Sequence, residues 1–479
     1  MLKLLKKNPG ILSLLNLGVI LEKSFFNTVH CGRLKRFLLN DKMILLGLFL
    51  SSALFSPVFS QNVLTLEEAL KLAKQQNLRL LQQQKNQESA DLEKQIQNVS
   101  RLPVLNLSFS STYLTELNEI DLSKTGQFID QKVQLGGHDR SELLVSLQQP
   151  VFTGFRLKSQ VELAQNARLS EQAKLEILSD EIFHKVYLIF YQSQNLNNQQ
   201  KILQTSLKRL NIQLQNIRNL FNAAQVMAFD TLQVYNQTLA IRIELEKNLL
   251  NKRLVNLQLG RLLDLKEKTI IAELQLQKPG NQLENLVLLK ETALQKRPEL
   301  EGIRLAKAGT GLQQKLARST YFPNVYALGN FHYAKPGLDP VTDAWMNYFS
   351  VGVNLQWNLW RWGGDQKQIE KVKVTANRLS LEESELRQTI QYQVEESYEN
   401  LNFGLEQLRL AEELRAQQEE RYRIVSVQHQ NDLATTNDLV TAEADLTSAE
   451  LQTHLALVQY YIYWADLQRA VGTIADNIQ

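Results

Sequence analysis

Two acidic residues, whose charge and hydrogen-bonding capacity could serve a function, lie where long helical patterns are interrupted. Asp230 and Asp438 open the predicted helices 230–263 and 438–471, and they meet when the two halves of the chain are superposed with a shift of 208. A carboxylate at the start of a helix can accept hydrogen bonds from its free N–H groups. Thr435 and Asp438 also have the spacing of a capping box. The residues alone therefore predict helix capping.

Catalytic and metal-binding motifs are absent from the sequence. It has no phosphate-binding loop, no His-Glu-x-x-His pair and no Gly-x-Ser-x-Gly elbow, and Gly309-Thr-Gly311 lies in a helical pattern without a third glycine. Beyond the first 60 residues the histidines are scattered, at His138, His184, His332, His429 and His454. Without cysteine nearby, nothing suggests a zinc site. We therefore expect no enzyme activity, no cofactor and no metal.

Residues 1–60 are typical of a leader with a secretory signal peptide. Basic residues precede the apolar run Met43–Phe55, and small residues after Pro57 suit cleavage near Ser60/Gln61. The run is too short for a stable membrane span, although a membrane anchor is the alternative. No stretch of 18 apolar residues occurs in the chain, so no transmembrane helix is predicted.

Removal of the leader changes the charge of the chain. Of the 53 basic and 50 acidic residues, residues 1–60 hold eight and two, so the remainder carries 45 basic and 48 acidic groups and a net charge of −3. This balance argues against nucleic-acid binding. The single cysteine, Cys31, is also removed, so the mature chain needs no disulfide and has no cysteine for lipid attachment.

Four segments alternate between apolar and polar residues with a period of two, which indicates β-strands. They cover about residues 103–113, 143–152, 323–333 and 348–360. Their length of about ten residues and their scarcity of charge match the strands of outer-membrane barrels. Aromatic residues at the strand ends predict an interfacial girdle of Phe152, Phe155, Trp357, Trp360 and Trp362. The edge of a soluble β-sandwich is the alternative.

Long helices connect the strands. Between Ile182 and Phe221 the apolar residues follow a seven-residue repeat, which predicts that one helix face packs against partner helices. No proline occurs between Pro150 and Pro279, so a hairpin of rods on the order of 100 Å is possible. An ordinary coiled coil is the alternative. The hairpins turn at about 222–230 and 429–438.

The order helix, strand, strand, long helix, long helix occurs twice. The first repeat spans 61–263, a connector spans 264–284 and the second repeat spans 285–479. Arg168-Leu-Ser matches Arg378-Leu-Ser only with a shift of 210, which predicts small slips in the duplication. Four strands cannot close a barrel, and open edges are not tolerated in lipid, whereas three copies would supply twelve strands.

Local patterns add three finer expectations. Leu64–Arg101 is expected to be one helix, and the polar segment Thr115–Arg140 is expected to be a long loop. Leu286–Tyr321 is expected to be helical, interrupted or started near Pro298.

With this organisation the chain resembles the TolC-like outer-membrane efflux factors over Gln61–Gly472. The resemblance rests on the duplicated order, on the strand-to-helix turns Pro-Val-Phe-Thr-Gly and Asn-Leu-Trp-Arg-Trp-Gly-Gly, and on the two hairpin turns. It implies a mainly α fold with membrane β, in which a homotrimer forms a 12-stranded β-barrel, four strands per chain, continued by a long α-helical barrel. The implied location is the outer membrane, with the helices extending into the periplasm.

The resemblance also implies a function and partners. It implies a passive exit duct of a tripartite efflux or type I secretion system, working with a periplasmic adaptor and, through it, an inner-membrane pump. An exported coiled-coil structural or adhesion protein without a channel is the alternative, and a periplasmic adaptor is disfavoured by the doubled strand pairs.

Site residues follow from the same resemblance. Asp230 and Asp438 match the acidic positions that narrow the periplasmic tip of the duct, with simple helix capping as the alternative. The family often has a second acid where Thr441 stands here. Adaptor docking is implied for the hairpin turns, where no glycine occurs: Ala223, Ala224, Gln225, Asn431, Asp432 and Leu433.

Overall fold

The four segments of alternating polarity form one sheet, and the long apolar stripes form two helical hairpins. The structure, a computed structural model, describes residues 63–121, 132–265, 270–274, 276–280, 284–339 and 342–476. The predicted leader, 1–60, and its cleavage point near Ser60/Gln61 lie outside these residues. The predicted fold class, mainly helical with a four-stranded sheet, is confirmed.

The elements follow the predicted order. The first half contains β1 (Val63–Leu64), α1 (Leu66–Gln76), α2 (Leu78–Val99), β2 (Val104–Tyr113), β3 (Asn118–Asp121), β4 (Lys132–Leu135), β5 (Asp139–Phe152), α3 (Arg156–Asn222) and α4 (Ala228–Leu263). The connector and the second half contain β6 (Ile270–Ile271), α5 (Leu286–Lys296), α6 (Pro298–Arg318), a 3₁₀ turn (Ser319–Tyr321), β7 (Asn324–Lys335), β8 (Met346–Gln356), α7 (Gly364–Gln430) and α8 (Thr436–Val471).

The two halves repeat without slippage in their long helices. α3 and α7 each have 67 residues, and α4 and α8 each have 36. At 1.5 Å per residue, the longer helices extend about 100 Å. All their boundaries are related by one shift of 208, so the slip expected from Arg168 and Arg378 is wrong. The helices before the sheet, α2 and α6, begin at residues related by a shift of 220, because the loop within the first strand pair is longer.

The sheet is antiparallel, with strand order β2-β5-β7-β8. Val104 pairs with Gln148, and Asn324 pairs with Gln356, so the strand ends next to the helices all lie at the same end of the sheet. β2 and β8 are the outer strands, and both are exposed along their whole length apart from Tyr348 and Ser350. We call this end of the sheet, beside the helices, the helix-proximal rim.

Some local expectations are corrected by the structure. β5 begins at Asp139 rather than near residue 143, so it includes Arg140 and Glu142. β8 ends at Gln356, before Trp357, because the aromatic segment that follows turns into α7. The expected loop Thr115–Arg140 contains the paired strands β3 and β4, and it also includes the first two residues of β5.

The helical stretch before the first strand is also broken, and the break has a structural role. Asn77 ends α1, and its side chain accepts hydrogen bonds from the N–H groups of Arg79 and Leu80 while donating to Leu262 O at 2.8 Å. In the second half Arg297 occupies the matching position before Pro298 and donates to Ala470 O at 3.1 Å. The residue at each break therefore forms a hydrogen bond to the C-terminal end of the last helix in the same repeat, α4 or α8.

The apolar stripe of α3 is buried, as its spacing predicts. Ile182, Val186 and Phe190 are at most 1% exposed and pack with Leu80 and Leu259. A second cluster has Ile390 and Val394 at the matching positions of α7, in contact with side chains of α5 and α8. No helix of the described residues is long and apolar enough to cross a membrane.

Candidate functional site

The two hairpin tips have the same backbone conformation. Gln225 N donates to Leu220 O at 2.9 Å, and Leu433 N donates to Gln428 O at 2.8 Å. The residues before them are left-handed, with φ 56° at Ala224 and φ 59° at Asp432. This is the arrangement that commonly ends a helix and usually places glycine at the left-handed position.

The six predicted docking residues all lie in these two turns. All are exposed: Ala223, Ala224, Gln225, Asn431, Asp432 and Leu433. Asn431 also closes its own helix, because its Nδ2 donates to Val427 O at 2.8 Å. The structure gives each tip a fixed, accessible backbone, and the docking role of these residues stays a prediction.

The two predicted gate carboxylates both cap helices. Asp230 accepts a hydrogen bond from Met227 N at 3.0 Å. Asp438 accepts from Thr435 N at 3.0 Å and from Thr435 Oγ1 at 2.7 Å, while its own N–H donates to that hydroxyl. These Thr435 hydrogen bonds hold the pKa of the exposed Asp438 below its usual value. Met227 offers no side-chain acceptor, so only the second tip has a complete capping box.

The starts of α4 and α8 lie side by side. Gln233 Nε2 donates to Asn437 Oδ1 at 2.5 Å. Below this contact, a buried cluster joins the two hairpins, consisting of Leu214, Ile217, Val234 and Val440. The fold therefore brings the two predicted gate segments into one region although they are far apart in the chain.

A buried ion-pair network joins α3 to α8 behind the tips. Arg209 Nη2 lies 3.1 Å from Glu443 and 3.1 Å from Glu450. The fully buried Glu443 also accepts hydrogen bonds from Ser206 Oγ and Thr447 Oγ1, both at 2.8 Å. Sequence reasoning did not identify these residues, because the two sides of the network are more than 200 residues apart and match no motif.

Large apolar side chains are also exposed at the tips. Met227, Phe229 and Leu433 are 77%, 70% and 78% exposed. Contiguous exposed apolar patches, unlike single exposed residues, commonly mark contact sites with other molecules. Sequence reasoning identified Leu433 but missed Met227 and Phe229, which lie in the short apolar stretch 226–229.

The sheet has one apolar and one polar face. Adjacent rows across the four strands show the difference: Leu107, Val145, Phe331 and Phe349 form one row, and Asn106, Ser146, Asn330 and Ser350 form the next. Side chains of successive rows point to opposite faces. On the apolar face Phe109 is 66% exposed and Val351 is 89% exposed, and in the described chain no second sheet covers them.

The five predicted girdle residues lie at the helix-proximal rim. Phe155, Trp357, Trp360 and Trp362 are exposed, and Phe152 is partly buried against Phe155 and Phe322. Two of them have strained, left-handed backbones: φ is 65° at Phe155, next to Gly154, and 53° at Trp362, next to Gly363. Such strain persists only where the surroundings fix it, and it is concentrated at functional positions.

Aromatic residues also lie at the opposite end of the sheet, away from the helices. Tyr333 stacks on Trp345 with centroids 4.7 Å apart, and Tyr113 stacks on His138 at 5.5 Å. Along β7, the nine residues from Val325 to Tyr333 span about 27 Å, at about 3.4 Å for each of the eight steps. An outer-membrane barrel has an apolar band of about 25 Å between its two aromatic girdles. Barrel strands are tilted, so the height is less than this length, but nine residues are within the usual length of a strand that crosses the outer membrane.

Polar groups on the other face form a hydrogen-bonded chain. His332 Nδ1 lies 2.7 Å from Glu142 Oε1, and His332 Nε2 lies 3.0 Å from Ser350 Oγ. Tyr348 stacks on the imidazole at 4.4 Å. The partners hold the imidazole within the polar face. Over the described residues no three acidic, histidine or cysteine side chains come together as metal ligands.

Comparisons with known proteins agree on one architecture. The sequence profile of a family described as outer membrane efflux protein matches residues 69–263 and 289–473. The structure of CusC matches with TM-score 0.71 and 14% identity, covering 85% of this chain and 92% of that chain. The outer membrane protein VceC from Vibrio cholerae matches with TM-score 0.68 and 15% identity, covering 85% and 96%.

A third solved structure agrees with these two. The outer membrane channel CmeC from Campylobacter jejuni has TM-score 0.70 and 14% identity, covering 86% of this chain and 88% of that chain. No curated protein sequence matches the chain. At these identities the structural matches establish the fold alone.

Proposed function

Because this chain belongs to the outer membrane efflux protein family, a family of channels rather than enzymes, we propose that it is a passive exit duct of a tripartite efflux or type I secretion system. Three copies form a 12-stranded barrel in the outer membrane, and their long helices form a tunnel that extends into the periplasm. A periplasmic adaptor connects this tunnel to an inner-membrane pump, which supplies the energy.

The open edges of the sheet are the observation that carries this proposal. β2 and β8 each leave one row of backbone N–H and C=O groups without a strand partner among the described residues. In hydrocarbon every unsatisfied backbone group costs several kcal/mol, so a lipid-facing sheet has to close on itself. Pairing β8 of one subunit with β2 of the next satisfies both edges, and three copies supply enough strands to enclose a water-filled lumen.

The two faces of the sheet support the same orientation. The apolar rows that include Phe109 and Val351 would face lipid, while the row Asn106, Ser146 and Asn330 would line the lumen. The His332–Glu142 pair would then lie at the lumen wall.

The gate proposal combines charge with capping. In a trimer Asp230 and Asp438 would contribute six carboxylates in a ring that narrows the opening at the tip, and the negative charge of this ring favours cations. Their capping bonds support this role, because they fix each carboxylate at the end of a rigid helix. Thr441 leaves this ring without a second acidic layer.

We further propose that the tip turns dock the adaptor. The six turn residues are exposed, and the apolar side chain of Leu433 among them, with Met227 and Phe229 nearby, provides apolar surface suited to a protein partner. Ala224 allows close approach of a partner helix because its side chain is a single methyl group.

Purification in detergent followed by planar-bilayer recording tests the duct. We expect a trimer that conducts ions, and a monomer without conductance would reject the proposal. The variant Asp230→Asn/Asp438→Asn keeps an oxygen that can accept the capping hydrogen bonds but removes the charge. We expect it to weaken blockade by polyvalent cations, whereas Glu67→Gln, in α1 and away from the tips, is expected to leave blockade unchanged. Equal blockade in all three proteins would reject the gate assignment.

A further inference from the structure

A cavity lies at the helix-proximal rim, between the start of α3 and the end of α6. Its volume is about 290 Å³, and its walls include the rings of Phe155 and Phe322. Its charged lining consists of Lys158, Lys315, Arg318 and Glu162. The cavity thus combines an aromatic wall with a cluster of cations.

The charges of this cavity are not balanced. Glu162 is its single acid, and it lies 3.5 Å from Lys315 Nζ and 4.0 Å from Lys158 Nζ. The exposed side chain of Arg318 makes no hydrogen bond or ion pair with any described residue, so its guanidinium is available. Three cations face one carboxylate, which leaves two positive charges. The N-terminus of α3, which begins at Arg156, adds a positive dipole at the same place.

The aromatic wall of the cavity contains one strongly exposed ring, that of Phe155. Phe152, Phe155 and Phe322 contact one another edge to face, with centroids 5.8–6.3 Å apart. Phe155 is nevertheless 61% exposed and has the strained φ of 65°. The backbone therefore holds this ring outward beside the cations, at the level where aromatic side chains meet lipid headgroups.

The internal repeat shows that the cations are not required by the fold. At the repeat-related sequence positions, a shift of 208 replaces Lys158 by Gln366 in α7, and a shift of 220 places Gln95 and Asn98 of α2 where Lys315 and Arg318 stand in α6. The acid is kept, since Glu162 matches Glu370. Each of the three cations thus has a neutral amide at its repeat-related position, and the cations that do lie near there, Arg361 and Lys367, are paired with Asp365 and Glu370.

We propose that this cavity binds the phosphate of an anionic phospholipid in the leaflet that faces the helices. Lysine and arginine side chains bind phosphate oxygens through charge-assisted hydrogen bonds, and Arg318 is free to do so with two donors. The exposed Phe155 ring contacts the start of the acyl chains, and the apolar sheet face carries them further. This inference rests on the proposed membrane function, because the cavity reaches a lipid leaflet only if the sheet is inserted.

Native mass spectrometry of the full-length protein tests the site. The purified protein is titrated with phosphatidylglycerol and, separately, with uncharged phosphatidylcholine. Lys158→Gln/Lys315→Gln/Arg318→Asn gives the cavity the side chains of its neutral counterpart. We expect the unmodified protein to prefer phosphatidylglycerol, and the triple variant to bind it about tenfold or more weakly with phosphatidylcholine unaffected.

The matched control removes the same charges elsewhere. Lys208→Gln/Arg242→Asn/Lys247→Gln lies in α3 and α4, away from the sheet, and is expected to keep the preference. The proposal is overturned if the cavity variant binds phosphatidylglycerol as the control does, or if the unmodified protein does not distinguish the two lipids. It is also overturned if free glycerol phosphate competes as strongly as the lipid, since the ligand would then be water-soluble.

Assembly and conductance of each preparation separate the two proposals. If the unmodified protein is a conducting trimer without lipid preference, the lipid site fails and the duct stands. If it neither assembles nor conducts, the duct fails. Should the triple variant not assemble, Arg318→Asn alone removes an unpaired guanidinium, and an unchanged affinity for phosphatidylglycerol in that variant overturns the site.

Discussion

Ala224 and Asp432 occupy the same left-handed position in the turns at the two hairpin tips, with φ 56° and 59°. Glycine is the residue that adopts this conformation without steric cost, and aspartate tolerates it better than alanine does. The two tips therefore have one backbone shape, and the first maintains it against greater local strain.

This strain predicts that Ala224→Gly stabilises its tip. We expect a gain of about 0.5–1 kcal/mol, because relief of the left-handed strain exceeds the added entropy of glycine in the unfolded chain. Hydrogen exchange at the Gln225 amide, which donates to Leu220 O, should become slower. Ala223→Gly is the control, since φ there is −83° and glycine should only loosen the turn. Equal protection in both variants would contradict the strain argument.

The two faces of β8 predict opposite tolerance for charge at nearby positions. Val351→Lys places an ammonium group on the proposed lipid face and is expected to cost about 2–4 kcal/mol per subunit near mid-bilayer. Asn354→Lys places it on the polar face and should be tolerated. Heat-stable trimers counted on gels after membrane extraction provide the measurement. If Asn354→Lys disrupted trimers as severely as Val351→Lys, the assignment of faces would be wrong.

The buried network between α3 and α8 predicts a strongly non-additive pair of substitutions. Arg209→Met leaves the fully buried Glu443 without its charge partner, and we expect a loss of about 3–5 kcal/mol. Adding Glu443→Gln should recover much of this loss, since Gln can still bond to Ser206 and Thr447. Denaturation of the single and double variants gives the coupling energy, and simple additivity would show that the charges do not interact.

A partly buried carboxylate in the middle of α3 predicts a pH-dependent stability. Burial, and then the nearby carboxylate of Glu299, raises the pKa of Asp180 from 3.8 to about 6. The folded chain therefore holds this proton more tightly than the unfolded chain, so stability falls as pH rises from about 4 to 6 and stays lower above that. Asp180→Asn should gain about 1–3 kcal/mol at pH 7.5 and almost nothing below pH 4.

Thermal unfolding of the Asp180→Asn variant at both pH values checks this prediction. Asn98→Gln, which exchanges one uncharged side chain for another in α2, provides a comparison that should not reproduce the pattern. An equal shift of Tm at pH 4 and pH 7.5 would mean that the carboxyl group is not the cause.

Glycine positions in two helices predict opposite effects of alanine. A Cβ at Gly404 in α7 would lie 2.8 Å from Cδ2 of Tyr463 in α8, so Gly404→Ala should destabilise by about 1–3 kcal/mol. A Cβ at Gly311 in α6 has no atom within 4 Å, so Gly311→Ala should stabilise by about 0.5–1 kcal/mol. Thermal unfolding of the two variants should show shifts of opposite sign, and a stabilised Gly404→Ala protein would exclude close helix contact there.

The architecture was accessible from sequence because its signals are periodic. Alternation around Leu107 and the seven-residue spacing from Ile182 predict strand and helix without knowledge of the fold, and the duplication reinforces both. The break at Asn77 was missed because the segment is rich in residues that suit helices, and the reason for the break is a contact with Leu262 far along the chain.

Side-chain partnerships were less accessible. Arg209 and Glu443 belong to helices separated by most of the second repeat, and charge alone does not distinguish this buried pair from the many exposed ones. The left-handed positions were also missed, because Phe155 and Trp362 are residues that a sequence rule would not place there. Tertiary structure decided these features over local preference.

The unpaired edges of β2 and β8 in the described chain constrain how the protein assembles. A single subunit in the bilayer would expose two rows of unpaired backbone N–H and C=O groups to hydrocarbon. In water the same strand edges could pair with strands of other proteins. If the sheet inserts as proposed, oligomerisation and membrane insertion therefore have to be coupled, and an unassembled subunit would need a chaperone.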